Sequence, residues 1–189
     1  MKLLFIILTV LSSFLTNLET KTLQSDFTVT VAEEVNAPMN YPGKVTMQGN
    51  KFLLTMFGME AAYDGKTMYM YSGDTDELTL SNPSEQELLE TNPFLYAKAL
   101  VNVCNITEKA SSDGKQTIVT LTPKDQSIGI NRFTLKVRTA DLVPLEVEIK
   151  EGKKTSSLKL KDPKFVKNLQ PSAFSLQPDK NTYINDMRL

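Results

Sequence analysis

From Ser25 onward the chain alternates apolar and polar positions with a period of two. In SDFTVTV (25–31), Phe27, Val29 and Val31 share one face and Thr28 and Thr30 the other, the pattern of a half-buried strand. Val45 and Met47 alternate next, Gly49-Asn50 supplies a turn, and Phe52, Leu54 and Met56 share one face of KFLLTM. Two strands joined by a tight hairpin are expected there. Asp64-Gly65 marks another turn. Beyond it Met68 and Met70 alternate with Tyr69 and Tyr71, and Leu78 and Leu80 alternate in the following short strand. The first half therefore reads as an antiparallel meander.

The period changes between residues 82 and 102. Ser84 followed by Glu87 has the capping-box spacing, with Leu88-Leu89 as the apolar side of a short helix. Asn92-Pro93 then reads as an N-cap and a first-turn proline opening FLYAKALV. Strands resume at 103–107 and 117–122 around the Asp113-Gly114 turn. They continue with Phe133, Leu135 and Val137, then with Leu145, Val147 and Ile149, and past Gly152 with Leu158 and Leu160. This predicts about ten strands, nearly all apolar on one face, with two short helices between two blocks. No linker rich in Pro, Gly or Ser divides them, so residues 14–189 read as one domain.

The first residues carry two readings. Met1-Lys2 precedes Leu3 to Leu11, in which Thr9 alone is polar, and Ser12-Ser13 follow. That is the form of a secretory signal over residues 1–13, with a cleavage point the sequence leaves open as far as about residue 20. The run is about half the roughly 20 apolar residues that a membrane span needs. No cysteine follows it, which predicts a mature protein without a lipid anchor. Leu11, Phe14, Leu15 and Leu18 also recur at helical spacing, so an amphipathic first helix fits the same residues.

A one-sided sheet of about ten strands has more apolar face than a few short helices can bury while it stays flat. The expected solution is a mainly β fold, a curved antiparallel sheet forming an incomplete, open barrel with the helices as a lid, a shape that leaves an apolar cavity. Met47, Met56, Met68 and Met70 fall on the apolar faces identified above. Their unbranched side chains suit a wall that adapts to a variable apolar ligand, and equally an ordinary core.

Composition narrows the chemistry. The 189 residues include no histidine and one cysteine, Cys104, and carry a formal net charge of -1. Histidine-based nucleophile arrangements, general bases and metal sites are excluded, as are an internal disulfide and a CxxC motif. Nucleic-acid binding would need a basic surplus. A binding or carrier role is favoured over catalysis, with no cofactor or metal. Asp74, Asp76 and Glu77 read as a solvated turn, because their spacing lacks the calcium-loop pattern. Cys104 reads as a small buried hydrophobe, and Asn105-Ile106-Thr107 as a chance sequon.

The order SDFTVTV (25–31), GKVTMQGNKF (43–52), YDGKTMYMY (63–71), ELTLSNP (77–83), NPF (92–94), LTPK (121–124), RFTLKV (132–137) and INDMR (184–188) resembles the periplasmic outer-membrane lipoprotein carrier family, LolA, especially the shorter LolA-like carriers of Bacteroidetes-type bacteria. The resemblance implies an open β-barrel with a helical lid, in the periplasm, whose cavity shelters lipoprotein acyl chains. It also implies partners: acylated lipoproteins, an inner-membrane ABC lipoprotein-release complex and an outer-membrane acceptor, served by a monomer.

The residues expected to line the cavity are Phe27, Val29, Val31, Val45, Met47, Phe52, Leu54, Met56, Met68, Met70, Leu78 and Leu80, with Phe94 and Leu95 in the lid. Proteobacterial members carry an arginine and a proline before the GNKF-like strand, linked to lid closure. Here the stretch is Met47-Gln48-Gly49-Asn50-Lys51-Phe52, without an arginine, so the resemblance carries over the cavity but not that latch, and whether Gln48 or Lys51 replaces it stays open. A carrier of another lipid or glycolipid, or a lipoprotein-sensing module of the same fold, stays open beside this reading.

Overall fold

The computed structural model describes residues 9–33 and 36–188, so the first eight residues of the expected signal lie outside the described residues. A helix α1 (Val10–Thr20) leads into strands β1 (Thr22–Glu33), β2 (Asn36–Gln48), β3 (Lys51–Met56), β4 (Met59–Tyr63), β5 (Met68–Ser72) and β6 (Glu77–Ser81). Helices α2 (Glu85–Thr91) and α3 (Pro93–Leu100) follow. The chain continues through β7 (Cys104–Ala110), β8 (Gln116–Pro123), β9 (Arg132–Arg138), β10 (Pro144–Glu151), β11 (Lys154–Val166) and β12 (Tyr183–Asp186). All twelve strands form one sheet in the order β12-β6-β5-β4-β3-β2-β1-β11-β10-β9-β8-β7. Neighbours are antiparallel except β12, which runs parallel to β6. The strands β12 and β7 are left as unpaired edges, and the barrel is open.

The core itself shows that the sheet curls. At about 4.8 Å between strands, a flat sheet would hold β5 and β8 roughly 40 Å apart. Yet Met68 of β5 and Val119 of β8 belong to one buried cluster with Leu11, Phe14 and Leu18 of α1 and Phe94, Ala97 and Leu100 of α3. The helices lie in the hollow, and both halves of the sheet close on them. Burial of Leu11, Phe14 and Leu18 establishes the amphipathic helix expected from their spacing.

Two strands exceed the ten expected. The pattern in MEAAY (59–63) is too short and too small to alternate visibly, but Phe57 (φ 60°) and Gly58 (φ 71°) make the tight turn that folds β4 back on β3. The four residues of β12 pair with the edge of β6 late in the chain, a long-range match that local periodicity does not carry. Strand β2 contains Pro38 and Pro42, normally a reason against an inner strand. Beyond Gly43, however, β3 has ended and β2 pairs with β1 alone, so both prolines sit where β2 is an edge.

Candidate functional site

Each helix of the lid starts where the sequence supplies a cap. Thr9 accepts the Ser12 N–H at 3.2 Å, and the carboxylate of Glu108 on β7 accepts the Val10 and Leu11 N–H groups at 3.1 and 3.0 Å. Glu108 thereby pins the N-terminus of α1 to the edge strand, with the charge sign the helix dipole favours. Ser84 and Glu87 form the expected capping box: Ser84 N–H donates to Glu87 Oε2 at 2.7 Å, and Glu87 N–H to Ser84 Oγ at 3.3 Å. Asn92, fully buried, accepts the Phe94 and Leu95 N–H groups at 3.0 and 3.2 Å and leaves its own Nδ2 without a partner. The helices α1 and α3 are joined by an edge-to-face contact of Phe14 and Phe94, centroids 5.4 Å apart, and by an ion pair of Lys98 and Glu19 at 2.6 Å. No residue of α2 is buried.

The strand registers decide which side chains share the hollow. Leu23, Met47, Phe52, Tyr63 and Met68 stand in one cross-strand row on the concave face, and all five are buried beneath the helices. Val45 and Leu54 pack beside them. One row farther along, Leu160, Phe27, Gly43 and Met56 face each other, with the Phe27 ring lying over Gly43. Val29 and Val31 continue the same face, half-buried, and Met70 extends it at 43% exposure. Phe94 is buried within the lid, and Leu95 borders a groove of about 640 Å³ between α1, α2 and α3, lined by Leu15, Leu18, Leu88, Leu89 and Phe94.

Leu78 and Leu80 do not join them. In the β5–β6 register Met68 faces Ser81 and Met70 faces Thr79, while Tyr69 and Tyr71 face Leu80 and Leu78. Both leucines therefore point to the outer face. There, Leu78 borders the segment 175–179 that follows the buried Phe174. An amphipathic strand pattern specifies two faces but not which of them looks inward, and here a second small core takes the outer one.

Gln48 and Lys51, the two residues left open as a latch, have other partners. The Gln48 side chain accepts hydrogen bonds from Thr22 Oγ1 at 2.8 Å and Leu169 N–H at 3.0 Å, which fastens the C-terminal segment to the outer face. Lys51 lies along the turn at Gly65. What ties the β2–β3 turn to the lid is backbone: Gly49 N–H donates to Leu18 carbonyl oxygen at 2.7 Å.

The concave wall also draws on residues the sequence reading left out. From the second block come Val119, Leu121, Phe133, Leu135, Val137 and Val147, all buried; their alternation was visible, and only the closure of the sheet shows them to face the same hollow. Past the reach of the helices, Met39, Phe57 and Met59 are exposed at 52, 58 and 40%, with the Tyr41 and Phe57 rings 4.7 Å apart. The site is thus an apolar hollow plugged by α1 and α3 at one end and open at the other. Burial pushes the Cys104 thiol upward, against the opposing pull of Lys124, and the side chain is a buried part of this core.

Twelve strands, all but one pairing antiparallel, wrapped incompletely around a helical plug define an open-barrel protein with an apolar hollow. The family model described as outer membrane lipoprotein carrier protein LolA matches residues 18–177, and the chain belongs to that family. Among solved structures, an uncharacterized conserved protein from Thermus thermophilus shares the fold with a TM-score of 0.61 at 15% identity, covering 94% of this chain and 96% of its own. A chain of the Pseudomonas aeruginosa MucA/MucB complex is similar with a TM-score of 0.54 at 13% identity, over 89% of this chain and 60% of its own. No curated protein matches the sequence.

Proposed function

We propose that the protein is a periplasmic carrier that shelters the acyl chains of lipoproteins as they pass from the inner to the outer membrane. The observation that carries this reading is the continuous apolar concave face, covered by α1 and α3 over one half and left bare at Val29, Val31, Met56, Met59 and Met70 over the other. Each methylene taken from water contributes about 0.8 kcal/mol, so acyl chains of ordinary length have tens of kcal/mol holding them in a bilayer. A carrier must offer a comparable surface without anchoring itself. No described helix is long and apolar enough to cross a membrane.

Helix α2, with no buried residue, is the part of the lid held most loosely, and the groove beside it adjoins Phe94 at the top of the plug. Chains enter between α1 and α2–α3, displace the plug and spread over the bare half. The partners of this reading are acylated lipoproteins, an inner-membrane ABC release complex and an outer-membrane acceptor. The protein acts as a monomer and without chemical catalysis. Export requires the signal at the N-terminus, and a cut at Ser13 would remove Leu11 and both hydrogen bonds to Glu108, shortening α1 by a turn.

Native mass spectrometry of the protein isolated from its own periplasm tests the reading directly. Bound lipoprotein supports it, while bound free lipid or glycolipid reassigns the cargo. A folded protein that takes up neither an environment-sensitive apolar dye nor fatty acid overturns it.

A further inference from the structure

The outer face of the sheet carries a charge pattern that the apolar hollow does not explain. Where β2, β1 and β11 adjoin, Lys44, Asp26 and Lys161 form one cross-strand row, and Lys164 stands opposite Gln24 in the next. Lys44, Lys161 and Lys164 border one open depression; Lys164 also borders a second, with Lys21, Lys167 and Arg138.

Among the described residues, none of Lys21, Lys44, Lys161, Lys164 and Lys167 has a carboxylate within ion-pair distance, and all five are exposed. Arg138 is already paired with Asp141 at 3.0 Å. Asp26 and Asp162 line the first depression, and Asp141, paired with Arg138, the second. The chain as a whole has a net charge of -1, so this excess is balanced elsewhere, notably by Asp74, Asp76, Glu85, Glu87 and Glu90. An extended charged surface would orient such a local excess of one sign.

We infer that this basic outer face docks on the anionic headgroups of a lipid bilayer. The unpaired cations are all lysines, compact hydrated charges on flexible stems, whereas discrete pairing with protein carboxylates favours the planar fork of arginine. Lys44 stands on β2 and Lys161 and Lys164 on β11, two strands away and at least about 10 Å apart, with Lys21 just before β1 and Lys167 just after β11. That spacing matches a diffuse layer of headgroups better than one bound phosphate or one acidic side chain. Val166, opposite Thr22, gives the second depression an apolar patch on which lysine stems can lie at an interface, while Phe165, opposite Leu23, packs on the core with the Lys21 ammonium 5.6 Å from its ring centre. Docking by this face turns the hollow and its lid away from the bilayer, so reversible attachment and cargo binding use different surfaces.

The test is co-sedimentation of the cargo-free full chain with phosphatidylcholine vesicles and with vesicles containing phosphatidylglycerol, at low and high salt. Binding is expected for the anionic vesicles only, and salt should weaken it. Each lysine removed should cost about fivefold in affinity. The combined variant Lys44→Gln, Lys161→Gln, Lys164→Gln, Lys167→Gln should then lose more than about a hundredfold.

The control combination of Lys66→Gln, Lys109→Gln, Lys115→Gln and Lys180→Gln removes equal charge from other surfaces and should lose less than about tenfold. If the combined variant does not fold, Lys161→Gln and Lys164→Gln are read singly. Equal losses in both sets, binding to neutral vesicles as tight as to anionic ones, or no vesicle binding at low salt would each overturn the proposal. So would tighter binding to poly-glutamate than to anionic vesicles, which would assign the face to an acidic protein. Fatty-acid uptake by the same variants should stay unchanged, so a failure here is separable from a failure of the carrier reading.

Discussion

Gly43 is a position where the fold needs the absence of a side chain, and replacing it with alanine gives a sharp test. A Cβ at this site would sit 2.4 Å from Phe27 Cζ, 2.9 Å from Phe27 Cε1 and 2.7 Å from the Thr55 carbonyl oxygen. Carbon atoms in contact prefer roughly 3.5–4.0 Å, so the ring must move by more than about 1 Å. The ring can swing, at the cost of burial that contributes about 1.5–3 kcal/mol for a phenylalanine. The Thr55 oxygen is backbone, held in the β2–β3 ladder, and yields only by distorting it.

Overpacking of this kind costs typically about 1–3 kcal/mol. Adding partial exposure of Phe27, we expect Gly43→Ala to destabilise by about 2–4 kcal/mol. For a domain of this size that lowers Tm by roughly 5–15 °C. Urea unfolding at constant m-value measures it. The cause is isolated by pairing Gly43→Ala with Phe27→Leu: if the ring is the obstacle, the double variant is less destabilised than the sum of the singles by at least about 1 kcal/mol. Additive effects, or a Gly43→Ala protein as stable as the parent, would refute the reasoning.

In the chain before signal removal, Glu108→Gln keeps one acceptor but removes the charge at the start of α1, and should cost about 1 kcal/mol and speed amide exchange at Val10 and Leu11 before other core amides. Asn92→Ala removes the α3 cap at a buried site and should destabilise by about 1–2 kcal/mol, read from thermal melts. Asp64 is pushed up by burial but pulled below the usual carboxylate range, on balance, by hydrogen bonds from the Thr67 and Lys66 N–H groups and the Tyr69 hydroxyl. Its contribution is therefore fully present above the unfolded value near 3.8 and is lost as pH falls through the lower folded value; Asp64→Asn should flatten the acid limb of a stability–pH curve. Cys104 should react with iodoacetamide at about pH 8 only as fast as the protein unfolds; immediate labelling of the folded chain would show that the thiol is accessible.

How much of this was legible in the sequence depends on the range of the interaction. Capping is local: Ser84 with Glu87, and Asn92 with Pro93, specify helix starts through atoms at most three residues apart, and both helices begin there. Alternation in Phe27, Val29 and Val31, or in Phe133, Leu135 and Val137, likewise marked real strands. Curvature was inferable too, since the area of apolar face exceeded what a flat sheet could cover. The direction of a face is not local. Leu78 and Leu80 alternate as cleanly as Met68 and Met70, and only the antiparallel register with β5, set by the turn between them, sends them outward.

The same distinction separates core from binding surface among the methionines. Met68 lies in the row closed by α1 and α3 and is 6% exposed; Met70, two residues on and on the same face, is 43% exposed because the helices end short of it. Their chemistry and their strand position are alike, and what differs is whether a lid element reaches them. The extent of each helix is set in another part of the chain, α1 running from its N-cap Thr9 to its C-cap Lys21 and α3 from Asn92 to Val101. A residue's role in this hollow is therefore decided by where α1 and α3 stop. Volume-conserving changes at Met68 should register in stability, and those at Met70 in acyl-chain affinity, because only Met70 stands where a ligand can cover what the protein leaves bare.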